Sequence, residues 1–526
     1  MSVRLGGRSR LITSRAAGLR GAVARRLPRW SPEVAIVGAG AGGLATAIRL
    51  RRAGVTTFTV YERSDGIGGT WHDNTYPGAQ CDVPSHFYSY SFALNPDWSM
   101  TYADQPEIRA YLEACADRFG VRPHVRTGCE VREVAWDEGA ARWDLHLGDG
   151  TVAHADVVVS ALGMLNVPST PRLPGLDSFR GPVFHSARWD HDVDLAGRRV
   201  AVVGTGASAV QFVPHVAEAA ARTTVFQRSP PWVMPKQLRP YSPTERRRFR
   251  WLPGAARRER WRHFWMFERN TSVRTEDPAT AQRTRWALRF LAAVVPDEAL
   301  RARLTPGYPI GCKRLLLSND WYPALQRPDV ELVTEPVTAV TEHGVVDASG
   351  REHAVDVIVL GTGFRATDHL AGLTVRGRGG RDLHEEWASG AAAYRGTSVH
   401  GYPNLFVLYG PNTNQGGNSI IFVLETQVHH VLGLVRRVRR RHRPVEVRAR
   451  AQAADVAAVR RAMAGTLWES GCSSYFLDEH GRVSTQYPHS ALHYWRRTRW
   501  VRPGAYRLLA TPHGRTAGDR STGGRS

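Results

Sequence analysis

The chain has 526 residues, 42% of them hydrophobic, and a formal net charge of +22 carried almost wholly by arginine, since Lys236 and Lys313 are its only lysines. That length and apolar content suit a protein of more than one domain, and no apolar run approaches the length that spans a bilayer. An arginine bias of this kind looks like genome composition, and with no nucleic-acid motif present the charge does not argue for a nucleic-acid partner; weak contact with an anionic membrane surface remains open.

The five cysteines, Cys81, Cys115, Cys129, Cys312 and Cys472, include no C-x-x-C pair. This argues against a disulfide framework, a metal site or a redox-active disulfide, so reduced thiols in a cytoplasmic protein are expected. Residues 1–31 read as a basic, disordered extension or a start-site artefact, because residues 1–30 hold eight arginines and no acid.

Residues 34–37 predict a strand, followed at once by Gly38-Ala-Gly40-Ala-Gly-Gly43 and a helical pattern. Gly38 permits a tight turn, Gly40 lets backbone approach a pyrophosphate, and Gly43 lets helix and strand pack closely. A second strand over 58–61 ends in Glu62, placed to hold a ribose hydroxyl. Next, Gly68-Gly69-Thr70-Trp71, Tyr76-Pro77-Gly78 and Asp82 shape a loop suited to fold against a flat ring system. A helix over 105–119 and a small antiparallel sheet over 131–147 read as scaffold. Residues 156–163 then form a buried strand ending at a glycine turn.

Between this region and a second nucleotide signature lies Phe179-Arg-Gly181-Pro-Val-Phe-His185-Ser-Ala-Arg-Trp189-Asp190. The second signature is a strand over 199–203 leading to Gly204-Thr-Gly206-Ala-Ser-Ala209, and its next strand ends in Gln227-Arg228 rather than an acid. A cation there suits a 2′-phosphate, which an acid would repel. Residues 240–304 are dense in Arg and aromatics at helical spacing and read as a helical subdomain with solvated Arg faces, the alternative being an amphipathic surface lying on a membrane. Within Gly311-Cys312-Lys313-Arg314, a lysine stands in a chain that otherwise uses arginine, which suggests a position that needs lysine geometry. Residues 356–363 repeat the pattern of 156–163, and 403–434 read as a returning strand, a turn at Gly410-Pro411-Asn412 and a helix from about 420.

The stretch 179–190, the pattern G-G-x-W-x-x-x-x-Y-P-G-x-x-x-D and the Gly-x-Lys-Arg run together resemble the Baeyer-Villiger branch of the flavin monooxygenases, over roughly residues 34–500. The resemblance implies an α/β fold with two Rossmann-like dinucleotide-binding domains, FAD at the first site and NADPH at the second. The domains would be an FAD part at 32–177, an NADPH domain at 178–345 containing the helical subdomain, a second FAD part at 346–505, and a disordered tail at 506–526. Gly38, Gly40, Gly43, Glu62, Gly69, Thr70, Trp71 and Tyr76 would serve FAD; Gly204, Gly206, Ala209, Arg228 and Lys313 would serve NADPH. Phe179, Gly181, His185, Trp189 and Asp190 would form a hinge, with His185 hydrogen-bonding rather than acting as a base. Arg314 would be catalytic and Asp82 its partner. The implied reaction inserts one oxygen of O2 beside the carbonyl of a small lipophilic ketone through a peroxide at flavin C4a. Oxygenation of S or N atoms, or uncoupled NADPH oxidation, are the alternatives. The resemblance departs at Ser473-Ser474-Tyr475 and Tyr487-Pro488, where the family usually shows Ser-Trp-Tyr and Trp-Pro.

Overall fold

The computed structural model describes residues 30–269, 274, 276–370 and 372–510; the expectations for 1–29 and 511–526 fall outside them. Two five-stranded sheets carry the architecture. We label their strands β1 (Val34–Val37), β2 (Phe58–Tyr61), β3 (Val125–Arg126), β4 (Val157–Ser160), β5 (Val183–His185), β6 (Arg199–Val203), β7 (Arg222–Phe226), β8 (Val330–Val333), β9 (Val357–Leu360) and β10 (Leu405–Val407). The first sheet runs β10-β4-β1-β2-β3 and the second β8-β7-β6-β9-β5, with every pairing parallel. Helices cover both faces of a parallel sheet, which is why β1 and β9 are unbroken apolar runs and β4 is apolar up to Ser160, all buried throughout.

Each central strand leads through its glycine turn into a helix, α1 (Ala41–Arg52) after β1 and α2 (Ala207–Ala219) after β6. The two sheets also share a fastening. Asp156 accepts the Glu33 N–H at 2.9 Å and Asp356 accepts the Arg199 N–H at 2.8 Å, so each central strand is tied at its start to its neighbour. Strand pairing moves the expected boundary at 345/346. The segment 356–363, expected in the second FAD part, supplies β9, which pairs with β6 and β5, so the second sheet extends to Leu360. Strand pairing decides membership, and the likeness of 156–163 to 356–363 arises because each lies in its own sheet between the central strand and an edge strand.

The stretch 179–190 is also more than a connection. Its middle residues, Val183–His185, supply β5, the edge strand that occupies in the second sheet the place β10 takes in the first. Phe184 and Trp189 pack edge-to-face at 5.2 Å, and Trp189 meets Phe212 of α2 at 5.4 Å.

Outside the two sheets, strands Val131–Asp137, Arg142–Leu147 and Val152–Ala155 form the expected antiparallel unit, with Trp136 against Trp143 in its core. The segment 240–304 contains α3 (Pro243–Trp251), α4 (Ala255–Arg269), α5 (Pro278–Val294) and α6 (Glu298–Leu304). These helices divide between two cores. Phe264 of α4 packs with Phe87 in the core of the first sheet, whereas Leu291 of α5 belongs to that of the second. Helix α7 (Ile420–Arg441) lies against α1. Two terminal expectations are corrected by packing. Trp30 stacks on His442 at 4.8 Å, and Tyr506, expected in the tail, is buried in a strand (Tyr506–Leu508), its hydroxyl bonded to Ser398 and His430.

Candidate active site

Both glycine turns open into one cavity of about 1550 Å3. The turns are sterically equivalent: Gly38 at φ +106° and Gly204 at φ +107° face the carbonyls of Ala161 and Gly361, where an added Cβ would stand at 2.7 and 2.5 Å. Only glycine allows that conformation at so close an approach. Gly38, Gly40, Glu62, Gly69, Thr70, Trp71, Tyr76, Asp82, Gly204, Gly206, Arg228, Lys313 and Arg314 all line the cavity. Gly43 and Ala209 do not; they are buried packing positions where helix meets strand. Phe179, Gly181, His185, Trp189 and Asp190 also stay out of it.

At the first turn, the Glu62 carboxylate accepts the Ala39 N–H at 2.7 Å and the Ser64 N–H at 2.8 Å. A carboxylate has about four acceptor sites, so each oxygen retains capacity toward the cavity. Trp71 donates its indole N–H to the Tyr88 hydroxyl at 3.0 Å, which fixes the ring on the cavity wall. Tyr76, expected at the cofactor, has its hydroxyl committed elsewhere: it donates to Gln211 of α2 at 3.0 Å, and the Gln211 amide donates to the Gln80 carbonyl at 2.7 Å. The Tyr-Pro-Gly run is therefore a clamp between the two halves. Gly78 shows how tight it is, since at φ +77° an added Cβ would meet the His215 ring at 2.5 Å.

At the second turn, Lys313 donates to the Ser229 hydroxyl at 2.9 Å and lies over the Tyr308 ring. Burial pushes the Lys313 amine below its ordinary value, and the neighbouring charge of Arg228 pushes it the same way. Two cations held together at a cavity wall form a site for a multiply charged anion.

Arg314 lines the same cavity. Its Nε donates to Asp82 Oδ2 at 3.1 Å and its Nη2 to the same oxygen. Burial would raise the Asp82 carboxyl, but the Arg314 guanidinium outweighs it and holds the carboxyl below the ordinary range. Asp82 in turn holds Arg314 well above its ordinary value. Tyr475 faces the same guanidinium, so the departing run at 473–475 still puts an aromatic hydroxyl at the site.

The sequence reading missed two contributors. Lys236 donates to the Gln80 side chain at 2.5 Å, and burial pushes its amine down to about 8, opposed by Cys81 and Asp82. The rarity of lysine that marked Lys313 applies equally to it. The second is a correction: Cys312, expected as a free thiol, is bridged to Cys472 with Cα atoms 6.4 Å apart, while Cys81, Cys115 and Cys129 are free. The bridge ties the segment that ends in Lys313-Arg314 to the one that carries Tyr475. His185 accepts the Ala187 N–H at Nδ1, and burial lowers its pKa, which suits a structural hydrogen-bonding role.

Paired nucleotide turns on one cavity, with an Asp-held cation on its wall, suit an oxidoreductase of the two-nucleotide class. In keeping with this, the family model for pyridine nucleotide-disulphide oxidoreductases matches residues 35–252. A Baeyer-Villiger monooxygenase of Pseudomonas aeruginosa is 43% identical, covering 91% of this chain and 92% of that protein; one of Streptomyces coelicolor is 45% identical, covering 90% and 92%. Among solved structures, an oxidized steroid monooxygenase bound to NADP matches with a TM-score of 0.81 at 32% identity, over 91% of this chain and all of that one. A closed cyclohexanone monooxygenase matches with a TM-score of 0.81 at 27% identity, over 91% and 99%. The chain belongs to the Baeyer-Villiger monooxygenase family.

Proposed function

We propose that the chain is an FAD- and NADPH-dependent monooxygenase that inserts one oxygen of O2 beside a ketone carbonyl, giving an ester or lactone. The observation that carries this reading is the Asp82-held guanidinium of Arg314, standing where both glycine turns open into a single cavity. The residues fit both groups: the strand after the first turn leads to Glu62, an acceptor for a ribose hydroxyl, and the strand after the second leads to Arg228, beside Lys313, a pair of cations suited to a 2′-phosphate. When bound, NADPH supplies the hydride and FAD the activated oxygen.

The protein's part is electrostatic and geometric. Arg314 cannot lose its proton, so it presents a permanent positive charge to an oxygen that becomes negative as the carbonyl is attacked. Asp82 engages Nε and Nη2 and leaves Nη1 uncommitted to it, fixing the plane of the guanidinium. The same carboxylate compensates the buried cation, which would otherwise be costly to hold out of water. Lys313 and Arg228 hold the 2′-phosphate and so select NADPH over NADH. Met266, Phe267, Trp286 and Leu467 make part of the cavity wall apolar, which suits a small lipophilic ketone.

Arg314→Ala tests the assignment. The variant is expected to bind FAD and to be reduced by NADPH at near the normal rate, while ester formation from a ketone under isotopically labelled O2 falls by about two to three decades. Normal incorporation of label into ester by the variant would overturn the role given to Arg314. A panel of ketones and thioethers, scored by product mass, separates carbonyl insertion from oxygenation at sulfur.

A further inference from the structure

Helix α4 has two unlike faces. Ala256, Arg260, His263 and Phe264 point inward; Arg260 donates to the carbonyls of Phe87 and Ser89 at 2.8 and 2.6 Å and pairs with Glu425 at 3.1 Å. The outward positions follow helical spacing, Arg257, Arg258, Trp261, Arg262, Trp265, Met266 and Arg269, and all are exposed. Trp261 is 48% and Trp265 44% exposed, and Trp251 at the end of α3 is 76% exposed, followed by exposed Leu252. Large aromatics left in water on adjoining helices are unusual for a merely solvated face.

The charge around these tryptophans is one-sided. Arg246, Arg247 and Arg248 on α3 are exposed, as are Arg257 and Arg258 on α4. The acids within α4 are already engaged: Glu259 by Arg262 at 2.6 Å and by His263 at 3.0 Å, and Glu268 by the N–H groups of Ala491 and Leu492. Tryptophans flanked by arginines on one helix face match the layering of an anionic bilayer surface, where indole rings settle at headgroup depth and guanidinium groups meet lipid phosphate. The face also borders the cavity, because exposed Met266 is part of the cavity wall.

We propose that the α3–α4 face, centred on Trp251, Trp261 and Trp265, docks the protein on an anionic phospholipid surface. Among the described residues no helix is long and apolar enough to cross a membrane, so the contact is peripheral. It sets the mouth of the cavity beside the layer in which lipophilic molecules collect; that consequence rests on the proposed reaction, whereas the docking does not.

The test is flotation of the full-length, FAD-loaded protein with vesicles of phosphatidylcholine alone or mixed equally with phosphatidylglycerol. Binding is expected to the anionic vesicles, weakly or not at all to the neutral ones, and to decline as salt is raised. The variant Trp251→Ser/Trp261→Ser/Trp265→Ser keeps every positive charge. It is expected to retain its flavin absorbance and its rate on a water-soluble ketone, yet to lose most vesicle binding. Arg257→Glu with Arg258→Glu should lower the partition coefficient by about tenfold or more, given roughly fivefold per cation near an anionic surface. If the wild type does not float with anionic vesicles, the proposal fails. If the tryptophan variant floats as well as the wild type, the attraction is general basicity and the proposal fails. If instead the wild type self-associates in sedimentation, ignores vesicles and becomes monomeric in the tryptophan variant, the face joins two copies of the chain and the proposal is replaced.

Discussion

Arg314 and Lys313 are adjacent cations with different obligations. The guanidinium, locked to Asp82, stays charged at any working pH, whereas the lysine amine is pushed below its ordinary value by burial and by Arg228. For a lowered lysine the charged form exists below the folded pKa and is lost as pH rises through it. Phosphate binding should follow that loss. KM for NADPH is therefore expected to rise in the alkaline range, beginning below the ordinary lysine value of about 10.4, with KM for NADH flat over the same range. In Lys313→Arg the rise should vanish; a KM for NADPH that ignores pH in the wild type would remove Lys313 from the phosphate. The sign reverses for Asp82. Its carboxyl is held below the ordinary range, so the ion pair is intact above that range and is lost only as pH falls through the lowered value. Asp82→Asn should keep its flavin but oxidise NADPH faster than it forms ester, because the guanidinium loses its orientation.

The loop from Gly68 to Asp82 acts as an element with two contacts, one on the cavity and one on α2. Gly78→Ala introduces a methyl where the His215 ring and the Gln211 carbonyl already stand at 2.5 and 2.7 Å, on backbone at φ +77°. Such a change costs about 1–3 kcal/mol, and the readout that matters is a larger fraction of NADPH consumed without product. The Cys312–Cys472 bridge joins two further segments across 160 residues. A bridge of this kind contributes about 2–4 kcal/mol. Cys312→Ser/Cys472→Ser should lower the denaturant midpoint, and a reductant should lower it equally in the wild type but not in the variant. Equal midpoints throughout would mean that the bridge does not bear on stability. What could be read in advance at this scale followed distance along the chain. The glycine turns, their strands and the helix at 420 were legible because their signals are local. The pairing of Cys312 with Cys472, the grip of Gln211 on Tyr76 and the use of the stretch 179–190 as an edge strand were not, because each is settled by tertiary contact between distant segments. Arg314 and Asp82, 232 residues apart, were joined only through the family resemblance.

At the scale of the whole molecule, the second sheet is complete at Leu360, but the first gains its edge strand only at Leu405–Val407. Asn404 anchors that strand by donating to the Asp156 carbonyl, 248 residues away. A chain made from its N-terminus at about 5–20 residues per second therefore finishes the second sheet while β4 still has an unpaired edge. Open strand edges invite pairing with other chains. The order of manufacture thus sets the hazard: the first sheet is the last to close, and until β10 emerges from the ribosome the growing chain depends on its neighbours in the cell to leave that edge alone.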